Sequence, residues 1–165
     1  MALRNVLTEE NSALYKKSRA VVKFDERLHV LLDDMAETLM HANGVGLAAP
    51  QVGVLRRAVL VMETNVPEGE DPYIIELINP EIISAEGEQC GSEGCLSVPD
   101  QYGLVRRPRK VTVRAQDRFG KPFEVTGEGL TARCFCHELD HLEGILFTAL
   151  AERMLTEEEI ESGEY

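Results

Sequence analysis

The chain has 165 residues, of which 44% are hydrophobic, and this length and composition fit one domain with a packed core. Its 29 acidic residues outnumber its 17 basic residues and give a net charge of −12, which argues against a broad surface for the phosphate backbone of a nucleic acid. No secretion signal and no run of about 18 apolar residues occurs, so we expect neither a targeting segment nor a membrane anchor.

Apolar residues at helical spacing predict the first element, a helix over residues 24–43. Asp25 stands at its start, where a carboxylate can cap the first amides, and Gly44 stands where a helix commonly ends. The apolar stripe that we expect to face the core consists of Leu28, Leu31, Leu32, Met35 and Leu39.

Residues 44–53 form a segment whose members are mostly too small to block the close approach of another backbone. Gln51 is its only polar side chain. Taken alone, the segment is typical of a tight turn between a helix and a strand.

Three short stretches rich in β-branched and aromatic residues predict strands at residues 57–62, 73–78 and 111–115. Turn-forming residues separate them, notably at residues 66–72 and 119–122. The strands lie between an early and a late helix without regular alternation of strand and helix, which indicates an α+β fold.

Four cysteines are present, namely Cys90, Cys95, Cys134 and Cys136. Without a secretion signal we expect a reducing compartment, and therefore free or metal-bound thiols rather than disulfides. Cys95 stands out because Gly94 and Pro99 bracket a short segment that can present a thiolate and exposed backbone amides.

The sequence His137-Glu138-Leu139-Asp140-His141 carries the strongest chemical signal. Residues four apart share one face of a helix, so His137 and His141 can bind one metal ion, and Glu138 can act as a general base toward a water on that metal. An apolar run from Leu130 and a terminating glycine at position 144 support a real helix there. A catalytic site needs a third protein ligand, for which Cys, His, Asp and Glu are the candidates.

These elements predict an α+β fold in which antiparallel or mixed β-sheets pack around a central metal-binding helix, with the N-terminal helix on the outside. We expect one domain over residues 1–165, with a short acidic C-terminal segment from about residue 156. Thr156 and Glu159 have the spacing of a capping box on a short surface helix.

Three segments, taken in order, resemble the motifs of the peptide deformylases. The family pattern is a Gly-x-Gly-x-Ala-Ala-x-Gln loop, a Glu-Gly-Cys-Leu-Ser segment and a His-Glu-x-x-His helix, and all three are intact here at residues 44–51, 93–97 and 137–141. The similarity continues between the motifs and covers nearly the whole chain.

This resemblance implies removal of the N-formyl group from the initiator methionine of nascent polypeptides, with release of formate. It implies one divalent metal ion per chain held by Cys95, His137 and His141, with Glu138 as base and then acid. Family members typically use Fe(II) and can accept nickel, cobalt or zinc, and these ligands suit several of those metals.

The resemblance also assigns the residues that contact the substrate. The Gln51 side-chain amide and the Leu96 backbone amide would stabilise charge on the formyl oxygen. The residues implied to pair with the substrate backbone are Val45, Gly46 and Gly94. The residues implied to line the methionine pocket are Val45, Leu130 and Cys134.

Two alternatives stay open at the level of sequence. A zinc endopeptidase would share the histidine pair but usually takes a downstream third ligand, and residues 142–165 contain no histidine. A non-catalytic paralogue would bind metal or formyl-Met peptides without turnover. Departures from the family at Cys136, where glutamine is common, and at Tyr102, where some members have arginine, motivate it, whereas the intact Glu138 and Gln51 argue against it.

The implied partner is the formylated nascent chain. We expect only transient association with the ribosome, because the acidic tail is ill suited to ribosomal RNA. A nucleic-acid substrate and a membrane partner are not expected, and we expect a monomer in the bacterial cytoplasm.

Overall fold

A computed structural model describes residues 2–165 of the protein. Within them the helices are α1 (Glu26–His41), α2 (Leu130–Leu142) and α3 (Glu157–Ser162). The strands are β1 (Gly46–Ala48), β2 (Ala58–Glu63), β3 (Tyr73–Glu86), β4 (Gln89–Cys95), β5 (Val98–Arg107), β6 (Lys110–Gln116), β7 (Pro122–Glu128) and β8 (Arg153–Met154). Short 3₁₀ turns cover Ser12–Tyr15, Ala49–Val52 and Phe147–Ala149.

The strands form two sheets. A five-stranded sheet has the order β1-β2-β3-β6-β7, and a three-stranded sheet has the order β4-β5-β8. Every pairing between these strands is antiparallel. The prediction of an α+β fold with antiparallel sheets is therefore confirmed.

Helix α1 agrees closely with the sequence prediction. The Asp25 carboxylate accepts a hydrogen bond from the Leu28 amide at 3.2 Å and caps the helix as predicted. The helix ends at His41, two residues before the predicted end, because Asn43 takes a left-handed conformation with φ of 54°. The predicted stripe of leucines and Met35 is buried.

The strand content exceeds the three predicted strands. β2 and β6 match their predicted ranges to within one residue, whereas β3 continues for eight residues beyond residue 78. β4 and β5 carry glycines, a proline and several polar residues, so neither shows a clear strand pattern. Their pairing with each other stabilises the extended conformation that their local propensity does not favour.

The five-stranded sheet separates two clusters of buried residues. On one face, Val59 and Val61 of β2 join Phe135 and Leu142 of α2. On the other face, the alternate residues of β2 join the apolar stripe of α1. A third cluster, which includes Val105, lies under the three-stranded sheet. Helix α2 contacts strands of both sheets.

The C-terminal helix α3 has no buried residue. The predicted capping box is confirmed, because the Thr156 hydroxyl accepts from the Glu159 amide at 3.2 Å and the Glu159 carboxylate accepts from the Thr156 amide at 3.0 Å. No helix among residues 2–165 has the length and apolarity needed to cross a membrane.

Asn79 joins the N-terminal segment to the sheet at an irregularity of β3. Its φ is 51°, and its side chain accepts from the Val21 amide at 2.8 Å. Its amide group donates to the Val21 carbonyl at 2.9 Å and to the Gln116 side chain at 2.8 Å. Asparagine suits this position because it tolerates left-handed backbone and supplies both donor and acceptor.

We expect Asn79→Ala to lower the free energy of unfolding by about 2–4 kcal/mol, because it removes these hydrogen bonds and leaves a Cβ on left-handed backbone. Asn79→Gly removes the same hydrogen bonds but relieves the strain of the left-handed backbone. It should therefore lower the free energy of unfolding by about 1 kcal/mol less than Asn79→Ala does. Urea unfolding of the two variants measures the difference. A glycine variant less stable than the alanine variant would contradict this interpretation of Asn79.

Candidate active site

Three segments that are distant in sequence meet around one cavity of about 450 Å³. They are residues 43–51 after α1, the end of β4 with the turn into β5, and the first two turns of α2. The sequence-predicted residues that line this cavity are Val45, Gly46, Gln51, Gly94, Cys95, Leu96, Leu130, Cys134, His137 and Glu138. His141 does not line the cavity, and is buried one helical turn beyond His137.

Cys95, His137 and His141 form a compact group of potential metal ligands. Their ligand atoms all lie within 4.8 Å of one another, and the Cys95 Sγ is 3.3 Å from the His141 Nε2. Ligands about 2.0–2.3 Å from a tetrahedral ion lie roughly 3.5 Å apart, so this spacing fits one metal ion of that class. One thiolate and two imidazoles also form a donor set that divalent transition metals accept.

A buried carboxylate, Glu93, orients the first of these histidines. The His137 Nδ1 donates to the Glu93 carboxylate at 2.6 Å, which leaves Nε2 as the ring nitrogen available to a metal. Arg107 donates two hydrogen bonds to the same carboxylate, and Arg133 donates one at 2.9 Å. Burial opposes the charge on Glu93, but the bonds from His137 and Arg107 hold its pKa at about 2.

Glu138 stands at the wall of the cavity, directly over a glycine. A Cβ on Gly46 would lie 2.4 Å from the Glu138 Oε2, so only a glycine permits this approach. Among the described residues, the buried Oε1 has no hydrogen-bond partner. The pKa of the Glu138 carboxyl is raised to about 7, chiefly by burial, with His137 acting to lower it and the Glu93 carboxylate acting to raise it.

The Gln51 carboxamide lies beside Cys95 and is held at both ends. Its Oε1 accepts from the Ala48 amide at 2.9 Å, and its Nε2 donates to the Ser97 hydroxyl at 3.0 Å. The same Nε2 is 3.5 Å from the Cys95 Sγ. Leu96 lies in the turn between β4 and β5, next to Cys95. Both predicted oxyanion donors therefore belong to segments that adjoin the ligand group.

Apolar side chains surround the mouth of the cavity. Val45, Leu130 and Tyr102 are 38%, 49% and 38% exposed, and the Tyr102 ring lies against Gly94, where an added Cβ would be 2.5 Å from it. Cys134 is buried at the wall, and burial raises the pKa of its thiol to about 12, so it stays neutral. The four cysteines of the chain are free thiols.

Sequence reasoning missed the groups that surround the ligands. It gave no role to Glu93, Arg107, Arg133 or Ser97, all of which are buried polar residues. Two of them carried a local signal: Glu93 lies two residues before Cys95, and Arg133 lies four residues before His137 on the same helix face. Arg107 carried no local signal, because only the pairing of β5 with β4 brings it to the site.

The comparisons with known proteins agree on one family. The family described as polypeptide deformylase matches residues 3–156. The peptide deformylase of Caldicellulosiruptor bescii is 56% identical over 161 residues, which cover 98% of this chain and 93% of that protein. That of Lachnoclostridium phytofermentans is 55% identical over 147 residues, which cover 89% of this chain and 88% of that protein.

Solved structures give the same result. The crystal structure of a peptide deformylase from Legionella pneumophila is 45% identical to this chain, with a TM-score of 0.83 and coverage of 98% of this chain and 90% of that one. The peptide deformylase from Thermotoga maritima is 34% identical, with a TM-score of 0.83 and coverage of 93% of this chain and all of that one.

We expect Glu93→Ala to lower the free energy of unfolding by about 3–5 kcal/mol, because among the described residues it leaves the buried Arg133 guanidinium with only the Val105 carbonyl, at 3.0 Å, and Arg107 with only Asp140, at 2.7 Å. Glu88→Ala is the matched control, since Glu88 is an exposed glutamate whose ion pair with Arg106 at 3.6 Å lies at the surface. The control should change the free energy by less than about 0.5 kcal/mol. Equal effects of the two variants in urea unfolding would contradict a central role for Glu93.

Proposed function

This chain belongs to the peptide deformylase family, and from that premise we propose that Cys95, His137 and His141 hold its metal ion and that Glu138 carries the proton of the reaction. The enzyme removes the formyl group from nascent peptides. The single observation that carries the proposal is the close approach of the three ligand atoms, all within 4.8 Å of one another, beside Glu138, whose Oε1 has no hydrogen-bond partner among residues 2–165.

The proposed metal is one divalent ion per chain, Fe(II) in the native enzyme, with zinc, nickel or cobalt as substitutes. A thiolate and two imidazoles suit this group of metals. Bound there, the metal supplies Lewis acidity that polarises the formyl carbonyl and activates water. Glu93 supports this ligand set, because its bond to the His137 Nδ1 fixes the ring and raises the basicity of Nε2.

Glu138 moves the proton in both halves of the reaction. As a carboxylate it takes a proton from the water that attacks the formyl carbon. When the carbon–nitrogen bond breaks, it returns that proton to the departing amine, so that formate and a free N-terminal amine result. Burial raises the pKa of this carboxyl, which favours a group that must both take and give a proton.

The remaining site residues bind and orient the substrate. The Gln51 Nε2 and the Leu96 backbone amide donate hydrogen bonds to the formyl oxygen as negative charge develops on it. Val45, Gly46 and Gly94 pair with the substrate backbone. The side chains that receive the methionine of the substrate are Val45, Leu130 and Cys134.

We also propose that residues 1–165 form a single catalytic domain around α2 as the central metal-binding helix, with α1 outside and an acidic segment from about residue 156. The contacts of α2 with both sheets support this arrangement. The protein is proposed to act as a monomer in the bacterial cytoplasm. The bacterial origin of its relatives supports the proposed location. Its association with ribosomes is proposed to be transient.

The test of this function is formate release from formyl-Met-Ala-Ser by protein purified without oxygen and loaded with Fe(II). Glu138→Gln should retain one metal per chain and lose about 10²- to 10⁴-fold in kcat, because the proton carrier is gone. Cys95→Ala should lose the metal itself, which elemental analysis measures.

Glu37→Gln is the control for Glu138→Gln. Glu37 is a glutamate of α1 that also has a buried carboxylate oxygen without a partner in the described part of the chain, and its substitution should leave kcat unchanged. Full turnover by Glu138→Gln at one metal per chain would refute the proposed role of Glu138. Undiminished metal content in Cys95→Ala would refute the ligand set.

The acidic tail predicts weak binding to ribosomes. Glu157, Glu158, Glu159, Glu161 and Glu164 repel the phosphates of ribosomal RNA, so co-sedimentation should be weak over about 50–200 mM salt. Removal of residues 156–165 should not weaken it. Strong, salt-sensitive binding that disappears with the tail would contradict this prediction.

A further inference from the structure

The side-chain torsions of Gln51 do not by themselves hold its carboxamide in one orientation. The terminal torsion of a glutamine is broad, so the amide plane is set by its hydrogen bonds. Gln51 is 1% exposed, and no solvent competes for those bonds. The Ala48 amide fixes its oxygen at 2.9 Å, but a single bond to the oxygen still allows the amide to rotate about that contact.

Ser97 supplies the second constraint. Its side chain is fully buried, and its hydroxyl oxygen accepts from the Gln51 Nε2 at 3.0 Å. The Nε2 carries two hydrogens about 120° apart. With one hydrogen directed at Ser97, the other is turned toward the Cys95 Sγ, 3.5 Å away, and so toward the group of potential metal ligands.

The N-terminal arm, defined as residues 2–9, fixes the backbone of both Gln51 and Ser97. The Leu7 amide donates to the Gln51 carbonyl at 2.7 Å, and the Glu9 amide donates to the Ser97 carbonyl at 3.0 Å. The two residues on which Nε2 orientation depends are therefore bound to one continuous stretch of chain.

The far end of the arm is attached to α1. The Asp34 carboxylate accepts from the Ala2 amide at 2.8 Å and forms an ion pair with Arg4 at 2.9 Å. The Arg4 amide donates to the Thr38 hydroxyl at 2.9 Å. Asp34 and Thr38 are themselves buried, so the arm is anchored to a rigid element of the core.

We propose that Ser97 is a positioning residue that aims the Gln51 Nε2 at the formyl oxygen, and that the N-terminal arm holds Gln51 and Ser97 at the distance this requires. The inference rests on the proposed function, in which Gln51 stabilises negative charge on that oxygen. Because this charge develops only in the transition state, misdirection of the donor lowers kcat and leaves the binding of the deformylated product unchanged.

A double-mutant cycle tests whether Ser97 acts through Gln51. Gln51→Ala should lower kcat for formyl-Met-Ala-Ser by about 10²- to 10³-fold. Ser97→Ala should lower it by about 10- to 10²-fold, with an unchanged inhibition constant for Met-Ala-Ser and one metal per chain. In the double variant, Ser97→Ala should add no further loss, because the residue through which it acts is absent.

Ser18→Ala is the matched control. Ser18 is also a buried serine, but among the described residues its hydroxyl has no hydrogen-bond partner and it does not line the cavity. Its loss should leave kcat unchanged. This comparison separates the loss of the Ser97 acceptor from the general effect of removing a buried hydroxyl.

The contribution of the arm is tested at a distance from the cavity. Arg4→Gln removes the ion pair with Asp34 and should lower kcat by up to about 10²-fold, again with unchanged product binding and metal content. A wild-type kcat in Arg4→Gln would overturn the role of the Arg4–Asp34 ion pair in holding the arm.

The failure of this inference differs from failure of the proposed function. If Gln51→Ala lowers kcat but Ser97→Ala does not, or if the two losses multiply in the double variant, Ser97 is not a positioning residue for Gln51. If Gln51→Ala itself leaves kcat unchanged, the proposed oxyanion role of Gln51 fails. A loss of metal or of product binding in Ser97→Ala would also overturn the inference.

Discussion

The rest of this site depends on the hydrogen bonds that the buried Glu93 carboxylate accepts. It lies in β4 and accepts hydrogen bonds from His137 and Arg133 of α2 and from Arg107 of β5. Charged groups removed from water are stable only when their hydrogen-bonding capacity is filled, and here two guanidiniums and an imidazole fill it. One residue therefore joins the three-stranded sheet to the helix that carries both histidines.

This arrangement explains why three distant segments can build one site. Cys95 follows Glu93 by two residues on β4, so the contact that fixes His137 also fixes the thiol relative to it. The five-stranded sheet holds the other side of α2 through Phe135 and Leu142. Gly46, at the edge of that sheet, leaves room for Glu138 to lie directly over the backbone. The proposed ligands and proton carrier are thus placed by the packing of α2 against both sheets, and the proposed oxyanion donors lie in short turns that adjoin these elements.

Residues whose signal is local could be predicted from sequence. Asp25 caps α1, the apolar stripe of α1 is buried, and residues 130–144 contain the helix that brings His137 and His141 to one face. The strands β4 and β5 could not be predicted, because their glycines and polar residues have low strand propensity and their conformation depends on pairing with each other. The same pairing brings Arg107 to Glu93.

Sequence alone predicted the chemistry, because helical spacing places the two histidines on one face and the three intact motifs indicate the family. Only the packing of the whole chain brings the buried charges around the proposed site and sets the hydrogen bonds of Gln51. Glu93, Arg107 and Arg133 meet only after the sheet and α2 have packed, and Ser97 meets Gln51 across 46 residues of chain. Long-range hydrogen bonds such as these follow from the packing of whole elements, for which a short stretch of sequence carries no signal.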